Sequence, residues 1–209
     1  MQASNTPWKF VVLEGIDGAG KTSVGQALSA KLCAHYYKTP PGIFEQFTMR
    51  DARSREISLR QYIDFSAYQD PHCRFLFYLL TLVKASQEIR ELLRTAHVVC
   101  DRYLSSTLVY HWALHEELER VDVSWLPILR PDHEYLLVID DESKHRERLR
   151  NRNESRTDEV LENNAQYLRQ VQAKYRKLRL REVDTAQESV EVIVERLAKE
   201  ILYGCSDLV

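Results

Sequence analysis

The sequence predicts an α/β fold, a three-layer sandwich in which a parallel sheet is covered by helices on both faces. Short apolar segments alternate with longer amphipathic segments along the 209 residues. The first apolar segment runs into a glycine-rich loop, and polar residues directly follow several of the later ones. Strand-then-helix alternation favours parallel pairing, and such sheets bind ligands at the carboxyl ends of their strands. The polar residues that follow the strands are therefore the candidate site.

The predicted strands are short and mostly rich in apolar, β-branched or aromatic residues. The first is an almost continuous apolar run, and the second is closed by the turn-forming residues Pro40, Pro41 and Gly42. In chain order the strands are predicted at residues 8–14, 34–39, 97–101, 133–140 and 181–184.

The predicted helices lie between these strands. Val24, Leu28 and Leu32 recur on one face of the first helix. Pro71 begins the longest helix, at a position where a missing N–H costs little. The charged, weakly periodic residues 44–69 predict one or two helices beside a flexible loop. Together with these two, the predicted helices outside residues 44–69 span residues 22–32, 71–93, 104–115, 142–152, 157–177 and 188–202.

Composition excludes some classes of partner. Lys and Arg total 29 against 31 Asp and Glu, so there is no basic field to attract nucleic acid or a membrane surface. The first residues show no signal peptide, and the longest apolar run, residues 75–83, is too short to span a bilayer. We expect a single domain over residues 1–209. Scattered cysteines predict packed, free thiols in a cytoplasmic protein, namely Cys33, Cys73, Cys100 and Cys205.

The glycine-rich loop has the phosphate-binding pattern G-x-x-x-x-G-K-[ST], from Gly15 to Thr22. Its glycines allow successive N–H groups to face one concavity, and the next helix begins there, which favours a phosphate. Lys21 is predicted to reach the β- and γ-phosphates, and the Thr22 hydroxyl to ligate Mg²⁺. The strand–loop–helix context disfavours a chance match, so a nucleoside triphosphate with Mg²⁺ is the predicted ligand. The predicted cofactor-binding residues are Gly15, Asp17, Gly18, Ala19, Gly20, Lys21, Thr22 and Ser23.

A second candidate is Asp101-Arg102-Tyr103, which directly follows the apolar strand around Val98. Phosphoryl transfer requires a held metal, aligned oxygens and neutralised charge. Asp101 is a candidate to hold a magnesium-bound water or to accept a proton, and Arg102 to bind an acceptor phosphate with two donors. The alternative is a structural ion pair that caps the next helix; the phosphate loop favours the catalytic interpretation.

A third candidate is a cationic lid at about residues 144–158. A mobile cationic segment can close over a transferring phosphoryl group and neutralise its charge. One or two of the arginines are predicted to be catalytic, with Arg148 and Arg152 as the candidates, and the others to form a solvated helix face. The basic residues of the segment are Lys144, Arg146, Arg148, Arg150, Arg152 and Arg156.

These segments resemble thymidylate kinases. The residues from Val12 to Thr22 are similar to that family's opening, which has an acidic residue where Asp17 stands. The residues from Val98 to Tyr110 are similar to its D-R-Y-x-x-S-x-x-A-Y-Q signature, and those from Pro131 to Asp140 to its P-D-x-x-x-x-L-D strand. The lid end and the last strand and helix match more loosely. The resemblance covers nearly the whole chain in order.

The resemblance implies a P-loop kinase fold and roles for particular residues. Asp17 would face the acceptor sugar, Arg102 would bind the acceptor phosphate, and Asp101 would act near Mg²⁺. Lid arginines would be catalytic because Gly18 stands where one branch of the family has a loop arginine. The family also implies a homodimer, through the apolar face of the predicted helix 71–93. The predicted acceptor-binding residues are Asp17, Arg50, Arg74, Thr81, Arg102, Tyr103 and Tyr110.

The chain departs from the family on the acceptor side. The family has T-R-E-P-G-G where this chain has Thr39-Pro-Pro-Gly42, so an arginine for the acceptor phosphate is missing; Arg50 or Arg53 are candidates to replace it. Thr81 stands where the family's thymine-contacting arginine is expected, and threonine lacks the forked donors of arginine. The glutamine and alanine of the D-R-Y signature are replaced by His111 and Val109.

The sequence therefore predicts an ATP-dependent kinase whose acceptor is a nucleoside monophosphate, dTMP or a related nucleotide. Two alternatives remain open. One is a kinase of an unphosphorylated nucleoside or another small hydroxylated metabolite, which the missing arginine favours and Arg102 disfavours. The other is a non-catalytic NTP-binding switch or interaction protein, although no water-positioning glutamine motif is evident.

Overall fold

The computed structural model describes residues 7–50, 54–66, 70–150 and 165–204. Its strands in chain order are β1 (Phe10–Glu14), β2 (His35–Lys38), β3 (Thr48–Arg50), β4 (Glu56–Ser58), β5 (Val98–Asp101), β6 (His133–Val138) and β7 (Arg181–Asp184). Its α-helices are α1 (Lys21–Leu32), α2 (Ile43–Gln46), α3 (Leu59–Ser66), α4 (Pro71–Leu92), α5 (Leu104–Leu114), α6 (Glu142–Arg150), α7 (Ala165–Lys177) and α8 (Val190–Tyr203). A 3₁₀ helix spans Glu116–Arg120.

The main sheet has five parallel strands in the order β2-β5-β1-β6-β7. This confirms the predicted parallel α/β sheet and places each of its five strands. The chain leaves β1 through α1 toward one edge of the sheet and later crosses to β6 on the other side. Because the strand order reverses beside β1, a crevice forms at the carboxyl end of this strand. The phosphate loop begins there.

Residue alternation along β1 builds a core on each face of the sheet. Val11 and Leu13 belong to the cluster that packs against α1, α7 and α8. Phe10 and Val12 belong to the cluster under α4. All five residues of β1 are buried, as a strand covered on both faces requires. Burial of this strand fixes where the loop after it can go.

The region between residues 43 and 66 agrees with its prediction in part. The one or two predicted helices are present as the four-residue α2 and as α3, but between them lies an antiparallel hairpin of β3 and β4 that was not predicted. Each of the two strands is three residues long and largely exposed. They therefore show no alternation of apolar and polar residues from which a strand could be predicted. A cross-strand hydrogen bond from Thr48 Oγ1 to Glu56 Oε1, 2.7 Å long, supports the pair.

Helix α4 begins as predicted. Pro71 occupies its first turn, and Asp70 caps it by accepting a hydrogen bond from the Cys73 N–H at 2.9 Å. Among the described helices, none is both long and apolar enough to cross a membrane. Among the described cysteines, the packing prediction holds for buried Cys100 and not for Cys33 and Cys73, which are exposed free thiols. Cys205 lies outside the described residues.

Candidate active site

The phosphate loop joins β1 to α1, and its glycines are required by close contacts. Gly15 has φ +138°, and a Cβ there would lie 2.4 Å from the main-chain oxygen of Leu137. Gly18 has φ +81°, and a Cβ there would lie 2.7 Å from Cδ2 of His145 on α6. Both backbone conformations are rarely adopted by residues with a side chain. The loop therefore follows a path that this sequence permits and most substitutions would not.

Five consecutive loop carbonyl oxygens, those of residues 15–19, each accept a hydrogen bond from a side chain. Because the C=O and N–H of a peptide point in opposite directions, carbonyls held by surrounding side chains favour amides that face the concavity. The donors, in order along the loop, are Arg102, Lys21, His145, Arg148 and Thr185.

Lys21 lies across this loop with only 2% of its surface exposed. Its Nζ donates to the Ile16 carbonyl at 2.8 Å and lies 3.6 Å from Oδ1 of Asp17. The ammonium group is thus held within the loop, where a phosphate is expected. A cation in this position neutralises charge on phosphate oxygens.

Asp101 ends β5 beside the first turn of α1. Its Oδ2 accepts hydrogen bonds from the Thr22 hydroxyl at 2.8 Å and from the Tyr36 hydroxyl at 2.9 Å. Burial, followed by the charge and hydrogen bond of Asp101, raises the pKa of Tyr36, so this phenol remains a donor at neutral pH. The other carboxylate oxygen, Oδ1, is buried without a hydrogen-bond partner. An orphaned carboxylate oxygen next to a threonine hydroxyl is a fitting donor set for Mg²⁺.

Arg102 bridges the loop and α5. Its Nη1 donates to the Gly15 carbonyl at 3.1 Å and to Ser106 Oγ at 3.2 Å, while Nη2 contacts the Asp17 carboxylate and the Tyr110 hydroxyl. The guanidinium carbon lies 4.9 Å from the Tyr110 ring centroid, within cation–π range. Burial alone would lower the pKa of Arg102, but Asp17 and neighbouring groups raise it well above its usual value. The arginine is therefore a permanent cation beside the loop.

The described half of the predicted lid is helix α6, and it rests on the phosphate loop. His145 Nε2 lies 2.6 Å from the Asp17 carbonyl, and Arg148 donates to the carbonyls of Gly18 at 3.4 Å and Thr185 at 2.7 Å. Lys144 Nζ donates to the Ala186 carbonyl at 2.8 Å. The structure thus brings Arg148 to the loop, although with its donors on the Gly18 and Thr185 carbonyls and on the Thr185 hydroxyl. Arg152 and the rest of the lid lie outside the described residues, as do Arg53 and Arg156.

The predicted acceptor residues on α4 and after β5 are less accessible than expected. Thr81 is 1% exposed, and its hydroxyl donates to the Tyr78 carbonyl of its own helix at 2.7 Å. Tyr103 is also 1% exposed, with its ring packed edge-on against Phe10. Both side chains face the core because their elements are buried on that side, and contact with the acceptor stays a prediction for both. Arg50 lies on the exposed hairpin strand β3.

Arg74 instead forms a cluster with aromatic rings between α4 and α5. Its Nη1 lies 3.4 Å from Nε2 of His111, and its guanidinium lies 5.1 Å from the Tyr78 ring centroid. His111 Nδ1 lies 2.6 Å from the Thr107 carbonyl, so Nδ1 is the protonated nitrogen and Nε2 the acceptor. Burial and then Arg74 lower the pKa of His111 to about 3, which keeps the ring neutral. Arg74, two helical turns before Thr81 on α4, therefore has the forked N–H donors that Thr81 lacks.

Sequence reasoning missed several residues that support the site. Tyr36 holds Asp101, and Thr185 braces the loop carbonyls; neither belongs to a motif with its own spacing. Glu14 is fully buried at the end of β1. A charged residue that ends an otherwise apolar strand was the signal that could have found it. Ser23, predicted to bind the cofactor, is exposed on the first turn of α1.

A phosphate loop at the carboxyl ends of a parallel sheet, with a buried lysine and a strand-terminal aspartate, is typical of the P-loop class of nucleotide-binding proteins. The comparison with protein families is more specific. Residues 13–199 match the family model described as thymidylate kinase, so the chain belongs to the thymidylate kinase family.

Individual relatives span nearly the whole chain. The probable thymidylate kinase of Methanocaldococcus jannaschii is 28% identical over 195 residues, covering 88% of this chain and 90% of that protein. The thymidylate kinase of Pelotomaculum thermopropionicum is 29% identical over 213 residues, covering 93% and 94%. The solved thymidylate kinase of Candida albicans has a TM-score of 0.65 at 20% identity and covers 93% of this chain and 91% of its own, a likeness of fold.

Proposed function

We propose that this chain transfers the γ-phosphate of ATP to a nucleoside monophosphate, dTMP or a related nucleotide. The observation that carries the proposal is the meeting of Lys21, Asp101 and Arg102 around one braced phosphate loop. Relatives that span nearly the whole chain are described as thymidylate kinases, which supports the same acceptor class.

The reaction requires alignment more than covalent chemistry. An acceptor phosphate oxygen bonds to the γ-phosphorus while the bond to the β–γ bridging oxygen breaks, which leaves ADP and a nucleoside diphosphate. Lys21 and the loop amides hold the ATP phosphates, and Arg102 holds the acceptor phosphate opposite them. A phosphate with a second pKa near 6 is already deprotonated at neutral pH, so no general base is needed.

Mg²⁺ would be held by the Thr22 hydroxyl and by Asp101, whose Oδ1 is buried without a partner. When bound, it supplies positive charge to the phosphate oxygens of ATP. Asp101 itself keeps the Thr22 and Tyr36 hydroxyls fixed through its other oxygen. We assign it this role in preference to that of a base, because a phosphate acceptor leaves no proton to remove.

On the acceptor side, Asp17 faces the sugar and Tyr110 positions Arg102, whose guanidinium it contacts. Arg74 is proposed to contact the base, since its guanidinium is fixed on Tyr78 and His111. Arg148 and Arg152 are proposed as the lid cations. For Arg148 this requires that its donors leave the Gly18 and Thr185 carbonyls when phosphates arrive.

A screen of acceptors tests the proposal. ADP release is measured with ATP, Mg²⁺ and a panel of nucleoside monophosphates, nucleosides and other small hydroxylated metabolites, and the phosphorylated product is identified. Turnover with dTMP or a related monophosphate supports the proposal. Transfer only to unphosphorylated hydroxyls would establish the alternative that the missing arginine between Thr39 and Gly42 favours. Release of inorganic phosphate alone would indicate an NTP-binding switch.

We also propose that the chain forms a homodimer through α4. Leu76 and Leu80, one turn apart, are 57% and 59% exposed, and Phe47, which lines the same surface cavity as Leu80, is 57% exposed. A row of large apolar side chains in water is costly and marks an interface. Sedimentation of the wild-type chain and of Leu80→Glu should show a dimer and a monomer. The cytoplasm remains the predicted location, in line with the free thiols.

A further inference from the structure

Glu14 places a fully buried carboxylate directly beneath the phosphate loop. Its Oε1 accepts a hydrogen bond from the Tyr103 N–H at 2.9 Å, and its Oε2 accepts from the hydroxyls of Ser106 and, at 3.2 Å, Tyr175. Tyr175 lies on α7, the helix that follows the lid segment, and its hydroxyl also accepts from the Gly15 N–H at 3.4 Å. One carboxylate therefore joins the loop, the D-R-Y turn, α5 and α7.

Two of these contacts lead to Arg102. Ser106 Oγ, which donates to Glu14, accepts a hydrogen bond from Arg102 Nη1 at 3.2 Å. Glu14 also accepts a hydrogen bond from the N–H of Tyr103, the residue directly after Arg102. Arg102 has a φ of +69°, in the left-handed region that residues with a side chain rarely adopt. Glu14 thus restrains both the side chain of Arg102 and its strained main chain.

A buried carboxylate is costly, and here the cost is increased by Glu134 on the adjacent strand. Burial and then Glu134 raise the pKa of Glu14 to about 7, while Ser106, Arg102 and the Tyr103 N–H oppose the shift. The ionisable groups that face it are Glu134 from β6, Arg102 from the turn, Tyr110 from α5, Tyr175 from α7 and Cys100 from β5.

We infer that Glu14 is a positioning residue for the phosphoryl transfer: its carboxylate, through Ser106 and the Tyr103 N–H, fixes the guanidinium of Arg102 where it must hold the acceptor phosphate. The inference rests on the proposed function. Because the carboxylate acts through Arg102, its loss affects the use of the acceptor more than the binding of ATP.

The experiment compares the wild-type chain with Glu14→Gln, which keeps the shape and removes the charge. For Glu14→Gln at pH 8 we expect a roughly tenfold lower kcat/KM for the acceptor, as for one hydrogen bond to a charged group, with the KM for ATP changed less than about twofold. Glu182→Gln is the matched control, because Glu182 is an exposed glutamate on strand β7 of the same sheet. Its kinetics should equal those of the wild type.

The pH profile separates positioning from simple packing. In the wild type, kcat/KM should fall as pH drops through about 7, when Glu14 takes up a proton. This fall should be absent in Glu14→Gln, which retains only the fall near pH 6 of the acceptor phosphate itself. Glu134→Gln should move the Glu14 fall to lower pH, because the charge that raises the Glu14 pKa is gone.

A double-mutant test completes the experiment. In an Arg102→Ala background, Glu14→Gln should lower kcat/KM for the acceptor by less than about a further twofold, since the group that Glu14 positions is absent. Wild-type kinetics in Glu14→Gln, or full additivity with Arg102→Ala, would overturn the inference while leaving the proposed function intact. A wild-type chain that phosphorylates no monophosphate would overturn both.

Discussion

The phosphate loop and the acceptor side of the site are held together in different ways. The loop is fixed through its main chain, since five successive carbonyls are bound by side chains from several elements. The proposed acceptor side depends instead on single side chains, namely the candidates Arg74 on α4 and Arg50 on an exposed hairpin. A main-chain cradle accepts any triphosphate tail, whereas side chains determine which acceptor fits. Donor chemistry is therefore fixed by a motif and acceptor identity is not.

The strongest test of the loop is Lys21→Ala. Removal of the buried ammonium group should lower turnover on the order of a thousandfold, because phosphate charge is no longer neutralised. ADP release and the melting temperature are measured together, with Lys31→Ala as the control on the exposed side of the same helix. Retained turnover would show that the loop does not hold the transferred phosphate.

Arg102→Ala tests the boundary between the two regions. We expect kcat/KM for the acceptor to fall about a hundredfold with little change in the KM for ATP, as for the loss of a bidentate phosphate contact. Arg94→Ala, at an exposed arginine after α4, is the control. If ATP binding is lost instead, Arg102 acts in the ATP-binding part of the site and not in the acceptor part.

Gly18→Ala tests whether the lid helix and the loop are coupled. The new Cβ would lie 2.7 Å from His145 at φ +81°, so we expect a loss of about 1–3 kcal/mol in the free energy of unfolding together with lower turnover. Denaturant unfolding measures the first. Gly42→Ala is the control, since nothing lies within 4 Å of that position.

His145→Ala alone measures the loss of the His145 hydrogen bond to the Asp17 carbonyl. In that background Gly18→Ala should cost less stability than in the wild type, because the contact with His145 is absent while the strained φ angle remains. An equal cost in both backgrounds would mean that the contact with His145 does not account for the glycine.

The smallest effect is expected from Arg74→Gln. If Arg74 contacts only the acceptor base, KM for the preferred monophosphate should rise severalfold, in the range of one hydrogen bond at a partly exposed site, while KM for ATP stays constant. Acceptor kinetics across several bases measure this, with exposed Arg90→Gln on the same helix as the control. An equal rise in KM for monophosphates of every base would show that Arg74 does not select the base.

Glu14 also links stability to pH. Its pKa rises from 4.5 to about 7 on folding, so the folded state binds the proton more tightly, and stability is lost as pH rises from about 4.5 to 7. Glu14→Gln lacks this dependence. The melting temperature of Glu14→Gln, relative to that of the wild type, should therefore be higher at pH 8 than at pH 5. Its activity at pH 8 should nevertheless be lower than that of the wild type. A constant difference would place the Glu14 pKa near its ordinary value.

Prediction from the sequence succeeded where a local rule was sufficient. The strand, loop and helix from Phe10 to Leu32 follow from apolar runs and glycine spacing, and Pro71 predicted the start of α4. It failed for the β3–β4 hairpin, whose strands are too short to show a period. It also did not foresee that Thr81 and Tyr103 are buried, because a motif position does not state which way a side chain points.

The sequence by itself determined that this protein has a parallel α/β sheet with a phosphate loop, because strand periodicity and glycine spacing act over a few neighbouring residues. Only the tertiary structure decided that His145, Arg148 and Thr185 hold the loop carbonyls and that Glu14 lies beneath Arg102. Those contacts join residues far apart in the chain. They depend on the order in which the strands pair, and hydrogen-bond distances are set only once that order is fixed.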